Sequence, residues 1–228
     1  MRDGRLNDAA IAVNKALLEA RVTFGIFGGF AVGVHGGPRE SKDIDCVVNC
    51  QKEWLVTFLS SKKDFLYTNN TRPDYAAFFW GNDKPGNGVL IEFFPKLFQV
   101  VMTPNMTPQT VTVQGESLGS QVTQLLDVGF VYKGKLRAAA MRGKHSDAAD
   151  LIFLESRYTD YLKGRATEFS RYYVGLALKR FPHLEHSFVR VNIDVKAAKV
   201  RVQDVELDAL PTPQPNDVQN GLLFGLIG

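Results

Sequence analysis

Two aspartates separated by one residue carry the clearest chemical signal in the sequence. Asp43 and Asp45 open a short apolar run that is typical of a buried strand. Side chains alternate along a strand, so both carboxylates should point to one side and Ile44 to the other. Two carboxylates held this close repel each other, and a divalent cation that prefers oxygen ligands, such as Mg²⁺ or Mn²⁺, relieves the repulsion. An exposed strand end is the ordinary alternative for such a pair.

A glycine pair and a third acid flank this motif at a distance. Gly28 and Gly29 stand between a strand-like and a helix-like run, where glycine lets the backbone approach a ligand and exposes helix N-terminal amides to phosphate. Glu92 lies in the apolar run 89–94, where a buried glutamate is costly unless it meets a cation or a hydrogen-bond donor. A tight turn and an exposed strand end are the structural alternatives.

A basic segment occurs in the second half of the chain. Residues 133–144 contain five Lys and Arg residues and no acid. Lys135 and Arg142 are seven apart, so they share one face of a helix. Asp147 and Asp150 are three apart on the next predicted helix, and the helix dipole favours an acid in its first turn. Taken alone, these residues are typical of a solvated helix face.

Composition places the chain among ordinary globular proteins. It has 228 residues and a formal net charge of +3, too small a surplus for general binding to nucleic acid, although a local basic patch could bind it. Two cysteines, Cys46 and Cys50, are too few for a disulfide scaffold or a structural zinc site, and we expect both to serve packing. The chain starts without a signal-like apolar core, and the apolar run 221–228 is much shorter than the ~20 residues of a membrane span. We expect a cytoplasmic protein without a membrane partner.

Periodicity predicts an α/β (α+β) first half and a helical second half. Predicted helices cover 7–21, 30–35, 52–61 and most of 117–180, and predicted strands cover 22–27, 44–48, 64–67, 75–80, 89–94, 109–114 and part of 188–202. The glycine-rich residues 81–88 are expected to form a hairpin loop.

The motifs in this order resemble the DNA polymerase β-type nucleotidyltransferase superfamily. Its pattern is a Gly-Gly or Gly-Ser pair opening a helix, an Asp-x-Asp motif and a later acid on a neighbouring strand. Residues 39–45, Arg-Glu-Ser-Lys-Asp-Ile-Asp, look like the Arg-x-Thr-x-Asp-x-Asp form of small single-domain members, and Ser41 keeps the hydroxyl of the usual Thr. Residues 135–151 are similar to the Lys-Leu-x-Ala, Arg and Asp-x-x-Asp-Leu signature of nucleotidyltransferases related to toxin–antitoxin and abortive-infection proteins.

The resemblance implies a domain organisation and a set of site residues. It implies a small mixed-sheet nucleotidyltransferase core with flanking helices over 1–115 and a mainly α-helical region over 116–181. Residues 182–228 match no part of this pattern; from the alternation of apolar and polar residues we expect a strand-like segment, followed by a Pro-containing tail. The resemblance assigns Asp43, Asp45 and Glu92 to catalysis and to a pair of Mg²⁺ or Mn²⁺ ions. It assigns the following residues to nucleotide binding: Gly28, Gly29, Arg39, Ser41, Lys135, Arg142, Asp147 and Asp150.

The resemblance also implies a reaction. A metal-dependent nucleotidyltransferase moves a nucleoside monophosphate from ATP or another nucleoside triphosphate to an acceptor hydroxyl and releases pyrophosphate. The acceptor is either a small molecule or RNA, and the basic residues 133–144 suit a triphosphate or RNA phosphates equally. Two alternatives stay open: a catalytically inactive nucleotide- or RNA-binding protein on the same scaffold, and a kinase-like transfer of the γ-phosphate.

Overall fold

A seven-stranded mixed sheet forms the frame of the first half of the chain in this computed structural model, which describes residues 2–81, 88–95, 108–212 and 214–223. The strands are β1 (Phe24–Phe27), β2 (Asp43–Val48), β3 (Phe65–Thr68), β4 (Ala76–Trp80), β5 (Val89–Pro95), β6 (Gln109–Gln114) and β7 (Ser120–Leu125). Their order across the sheet is β3-β4-β5-β2-β1-β7-β6. Most of the predicted hairpin loop at 81–88 lies outside the described residues.

β2 occupies the centre of the sheet and pairs in parallel with β5 and antiparallel with β1. Ile44 and Cys46 point to the same face of this strand, and both are fully buried in the core. Burial raises the pKa of the Cys46 thiol well above its usual value, as expected for a packing residue. The register places Asp45 between Phe27 of β1 and Glu92 of β5.

The helices are divided between two units of the chain, Met1–Asp127 and Val128–Gly228. In its described residues, the first unit contains three α-helices besides the sheet: α1 (Arg2–Glu19), α2 (Gly28–Val34) and α3 (Lys52–Ser60). The described part of the second unit contains helices but no strand; its α-helices are α4 (Val128–Arg142), α5 (His145–Arg157), α6 (Thr159–Lys163), α7 (Arg171–Arg180), α8 (Glu185–Arg190), α9 (Val195–Arg201) and α10 (Asp217–Leu223). The predicted mixed sheet with flanking helices, followed by a mainly helical region, is confirmed.

Two secondary-structure predictions were wrong. Residues 120–125 lie in the predicted helical region 116–181 but form β7, because β1 and β6 satisfy their backbone from both sides. Residues 188–202 do not form a strand in the tail region 182–228. They form parts of α8 and α9, separated at Asn192, whose φ of 61° ends the first helix. The β-branched residues of this stretch alternate like a strand, and Val191, Ile193 and Val195 are all buried where the two helices meet, but within α9 burial follows helical spacing from Val195 to Ala198 and on to Val202.

The described residues include no helix that is both long and apolar enough to cross a bilayer.

A buried aspartate ties α1 to the turn between β6 and β7. Asp8 is 1% exposed, and its carboxylate accepts hydrogen bonds from the backbone N–H groups of Ser117 (2.9 Å) and Leu118 (2.8 Å). These two bonds to a charged acceptor satisfy a turn that has no strand partner, so they fix where α1 meets the sheet edge.

We expect Asp8→Ala to lower the free energy of unfolding by about 3 kcal/mol, because two backbone donors lose their acceptor in a buried position. Urea titration followed by circular dichroism measures the change. Asp64→Ala, which removes an exposed carboxylate of the same unit, should cost far less. Equal losses in the two variants would show that Asp8 is not an anchor.

Candidate active site

The glycine turn after β1 lies directly against one of the predicted metal ligands. Gly28 is the first residue of α2 and has a φ of 70°, a conformation that L side chains rarely adopt. A Cβ built on Gly28 would overlap the Oδ2 atom of Asp45. Only glycine fits here for both reasons, and its backbone therefore lies against the Asp45 carboxylate.

The next glycine lies against the two polar residues that precede β2. A Cβ on Gly29 would lie 2.7 Å from Ser41 Oγ and 3.2 Å from Arg39 Nη2. Ser41 is 5% exposed, and its hydroxyl donates to the backbone carbonyl of Asp43 at 3.0 Å, with the Asp43 carboxylate oxygen Oδ1 at 3.3 Å. The structure thus brings Gly29, Arg39, Ser41 and Asp43 together at the start of α2.

The three predicted acids share one face of the sheet. Asp43 and Asp45 alternate with buried Ile44 on β2, and the parallel register sets Asp45 directly beside Glu92 and Asp43 beside Leu90. Neighbouring strands lie about 4.8 Å apart, so the backbones that carry Asp45 and Glu92 are adjacent. All three side chains are only partly buried, so a ligand can reach this face.

Glu92 has a partner that the sequence analysis missed. The Tyr75 hydroxyl donates a hydrogen bond to Glu92 Oε1 at 2.6 Å, and the Tyr75 ring packs on Phe94 with centroids 5.6 Å apart. Burial, followed by the hydrogen bond to Glu92 and the negative charges of Glu92 and Asp45, raises the pKa of Tyr75 well above its usual value. The phenol therefore remains a proton donor to the carboxylate at neutral and mildly alkaline pH.

An arginine covers the tyrosine ring. The Arg72 guanidinium lies 5.3 Å from the centroid of Tyr75 and forms two hydrogen bonds, of 3.1 and 2.8 Å, with the fully buried Asp74. This fork-to-carboxylate pair holds the chain in place just before β4. Only the register of β4 against β5, which pairs Ala77 with Glu92, brings Tyr75 to the acid face. No sequence motif marks the tyrosine.

The acids have the chemistry of a magnesium or manganese site, although they are not gathered around one point. Two aspartates and a glutamate supply the oxygen ligands that these cations prefer. Among the residues that the structure describes, no three Asp, Glu, His or Cys side chains are close enough together to form a ready-made metal cluster. Ser41 contacts the carboxylate of Asp43, the Gly28 backbone lies against that of Asp45, and Tyr75 bonds to that of Glu92.

A pocket of about 310 Å³ lies between α1, α2, β6 and the segment that precedes β2. Arg39, Glu40 and Ser41 form one wall, and α1, α2 and β6 supply the rest through Leu6, Asn7, Phe30, Gly33, Val34 and Thr112. The volume is at the lower end of the range of small-molecule sites. Its mixed polar and apolar lining is suited to a small organic group.

The four predicted nucleotide-binding residues of the helical unit form one ion-pair cluster. Lys135 Nζ lies 2.7 Å from Asp150 Oδ2 and 3.4 Å from Asp147 Oδ1. Arg142 contacts both oxygens of Asp147, at 2.8 and 3.1 Å. Burial by itself would raise the pKa of Asp147, but the hydrogen bonds from Arg142 and the charge of Lys135 outweigh it and lower this pKa.

Two of the three remaining cations of the basic segment are also paired with acids. Lys133 Nζ lies 2.6 Å from Glu168 Oε2, and Arg137 Nη2 lies 3.2 Å from Asp217 Oδ2. With Lys135 and Arg142, four of the five basic residues in 133–144 are therefore neutralised within the helical unit. Lys135 is buried, with 4% of its side chain exposed, whereas 54% of the Arg142 side chain is exposed.

Comparison with solved structures identifies the fold. An antigenic nucleotidyltransferase-like protein from Paracoccidioides brasiliensis superposes with a TM-score of 0.55 and 16% identity, over 82% of this chain and 93% of that one. The chain has a nucleotidyltransferase fold. The resemblance to the nucleotidyltransferase superfamily is thereby confirmed at the level of the fold.

Other comparisons gave weaker or no similarity. A lincomycin-bound lincosamide antibiotic adenylyltransferase matches with a TM-score of 0.43 and 13% identity, over 64% of this chain and 93% of that one. A tRNA nucleotidyltransferase complexed with a primer tRNA and an ATP analogue matches with a TM-score of 0.33 and 16% identity, over 91% of this chain and 66% of that one. No protein-family model matches the sequence, and no curated protein is similar to it.

The buried ion pairs predict a pH-dependent stability. The lowered pKa of Asp147 stabilises the folded state fully above the ordinary value of 3.8, and this contribution is lost as the pH falls through the folded-state pKa. We expect Asp147→Asn to reduce the free energy of unfolding by about 3 kcal/mol at neutral pH, because Lys135 and Arg142 lose a common partner. The difference from wild type should shrink at pH values below 3.8.

Urea titrations of the two proteins at neutral and acidic pH measure this difference. The matched control is Asp160→Asn, since this carboxylate is 97% exposed and its ion pair with Lys163, at 3.4 Å, lies on the surface. A stability loss in Asp147→Asn that stays constant across the acid range would contradict the ion-pair explanation.

Proposed function

We propose that the protein is a metal-dependent nucleotidyltransferase that moves a nucleoside monophosphate from a nucleoside triphosphate to an acceptor hydroxyl. The observation that carries the proposal is the register that sets Glu92 beside Asp45, on the face that also holds Asp43 and next to the glycine turn. If these residues served only to stabilise the fold, a third acid beside Asp45 would not be needed. The nucleotidyltransferase fold supports the same conclusion.

The glycine turn and the residues against it would bind the triphosphate. Gly28 and Gly29 have no side chains between their backbone and a ligand. The Ser41 hydroxyl and the Arg39 guanidinium lie beside Gly29, and a guanidinium can form two parallel hydrogen bonds with phosphate oxygens. These groups would orient the α-phosphorus toward the acid face.

Asp43, Asp45 and Glu92 would hold Mg²⁺ or Mn²⁺, as a pair of ions. When bound, such ions neutralise phosphate charge and stabilise the attacking and leaving oxygens of an in-line displacement. Tyr75 occupies Oε1 of Glu92, so Oε2 is the oxygen that would serve as a ligand or accept the proton of the acceptor hydroxyl. The acceptor oxygen forms a bond to the α-phosphorus, the bond between that phosphorus and the β-phosphate bridging oxygen breaks, and pyrophosphate leaves.

Arg142 is the member of the helical cluster that a nucleotide would contact. Its guanidinium is half exposed, and Asp147 holds it through two hydrogen bonds. Lys135 is buried between Asp147 and Asp150, so it would act by fixing those two acids. We propose that Arg142 contacts the nucleotide directly and that Lys135, Asp147 and Asp150 contribute by holding the cluster in position.

Substitution of the acids tests the reaction. We expect Asp43→Asn, Asp45→Asn and Glu92→Gln each to reduce transfer of label from an α-labelled triphosphate by at least about 10²-fold, because each removes an anionic oxygen ligand that would hold the divalent ions against the phosphates. The assay uses the full chain with Mg²⁺ or Mn²⁺ and either total RNA or a metabolite extract.

Matched controls are Asp64→Asn and Glu53→Gln, which neutralise exposed acids of the same unit. Undiminished transfer by Asp45→Asn would refute the site. Triphosphate binding without pyrophosphate release would favour an inactive nucleotide-binding protein, and label that transfers only from the γ position would favour a kinase-like reaction.

Tyr75 is proposed as a positioning residue for Glu92. We expect Tyr75→Phe to raise the metal concentration that gives half-maximal activity about tenfold, because Glu92 loses the hydrogen bond that orients it. The KM for the triphosphate should change little, and excess metal should restore kcat. Tyr67→Phe, which leaves a ring packed on Phe78, is the control. A loss of kcat that metal does not rescue would assign Tyr75 a purely structural role.

A further inference from the structure

Most cations of the helical unit are neutralised by acids close to them. Residues 128–228 contain fifteen Lys and Arg residues and eleven Asp and Glu residues. Outside the cluster already described, Lys163 pairs with Asp160, Arg165 with Glu168, Arg190 with Glu155 and Lys199 with Glu185. In the described part of this unit, six cations have no carboxylate within ion-pair distance: Lys144, Arg157, Lys179, Arg180, Lys196 and Arg201.

Two of these cations line an open groove between α7 and α9. The groove has a volume of about 420 Å³ and is lined by Arg171, Asp194, Lys196, Ala197, Val200 and Arg201. Lys196 and Arg201 are exposed, and in the described parts of the chain no carboxylate lies within ion-pair distance of either. Their charges are available to a ligand in solution.

The acid at the groove is already engaged by the protein. Asp194 caps α9 by accepting a hydrogen bond from the Ala197 backbone at 2.9 Å, and its other oxygen lies 3.9 Å from Arg171 Nη2. One carboxylate beside three cations leaves the groove with an excess of positive charge. Val200 is 60% exposed among these cations and adds an apolar surface.

We propose that this groove binds the phosphodiester backbone of RNA, and that RNA is the acceptor class. An open groove with several separate cations suits an extended chain of phosphates, whereas small acceptors are generally held in enclosed pockets. Val200 can contact a sugar or a base between phosphates. RNA binding is argued from the groove alone, while its role as acceptor rests on the proposed nucleotidyl transfer.

The test compares two double variants with the same loss of charge. Lys196→Gln with Arg201→Gln removes the two groove cations that have no carboxylate partner among the described residues, and Lys163→Gln with Lys199→Gln removes two cations that pair with Asp160 and Glu185. Fluorescence anisotropy of a short labelled single-stranded RNA is measured with the full chain between about 50 and 200 mM salt. Label transfer from the α-labelled triphosphate to RNA and to a metabolite extract is measured in parallel.

We expect the Lys196/Arg201 variant to bind RNA on the order of tenfold more weakly and to lose about 1.4 from the slope of log affinity against log salt, because two phosphate contacts are removed. The Lys163/Lys199 variant should bind like wild type. Transfer to RNA should fall with binding, while pyrophosphate formation at saturating RNA should be retained.

Several outcomes would overturn the proposal. Equal weakening in both double variants would show that net charge alone matters, and salt-insensitive or absent RNA binding by wild type would exclude the groove as an RNA site. Label found only on a small molecule would exclude RNA as acceptor. If groove-dependent RNA binding is found but no label is transferred from any triphosphate, the groove stands and the proposed transferase activity fails.

Discussion

Repulsion among three carboxylates on one face of the sheet is the constraint on which the proposed active site depends. Asp43, Asp45 and Glu92 lie on adjacent central strands, where folding alone would favour apolar side chains. In the first unit, Ser41 contacts Asp43, the Gly28 backbone lies against Asp45, and Tyr75 donates a hydrogen bond to Glu92. The hydroxyl of Tyr75 carries no charge, so its hydrogen bond leaves the negative charge of Glu92 available to a divalent cation. A lysine in the place of Tyr75 would instead compete with that cation.

In the helical unit, the buried acids form ion pairs with basic side chains. Asp147 and Asp150 are as deeply buried as core residues, and Lys135 and Arg142 neutralise them directly. If one partner of such a cluster is removed, the remaining charges are buried without a counterion, which strongly destabilises the fold. The four residues therefore contribute to stability as a unit. The same signature residues can therefore hold α4 against α5 and still present the Arg142 guanidinium to a ligand. The four residues can therefore stabilise the fold and take part in ligand binding at the same time.

Sequence patterns failed where a local signal was ambiguous or where a partner came from another part of the chain. Residues 188–202 alternate Val and Ile with polar residues, yet Asn192 and the Asp194 cap divide them into two short helices, and burial within α9 follows helical spacing. Residues 120–125 are polar enough to resemble a helix surface, and only pairing with β1 and β6 makes them a strand. Tyr75 carries no motif, and its contact with Glu92 follows from the register of β4 against β5. The unpaired state of Lys196 and Arg201 likewise depends on which acids fold near which cations.

The amino-acid sequence by itself determined the nucleotidyltransferase-like motif order, the glycine turn, the shared face of Asp43 and Asp45, and the division into a mixed sheet and a helical part. These features follow from local spacing, because strand alternation and the conformational freedom of glycine act over a few residues. Only the tertiary structure decided that Glu92 lies beside Asp45, that Tyr75 orients Glu92, and that the basic segment 133–144 is largely neutralised. Strand register and ion pairing join residues far apart in the chain, and no local pattern specifies which of them meet.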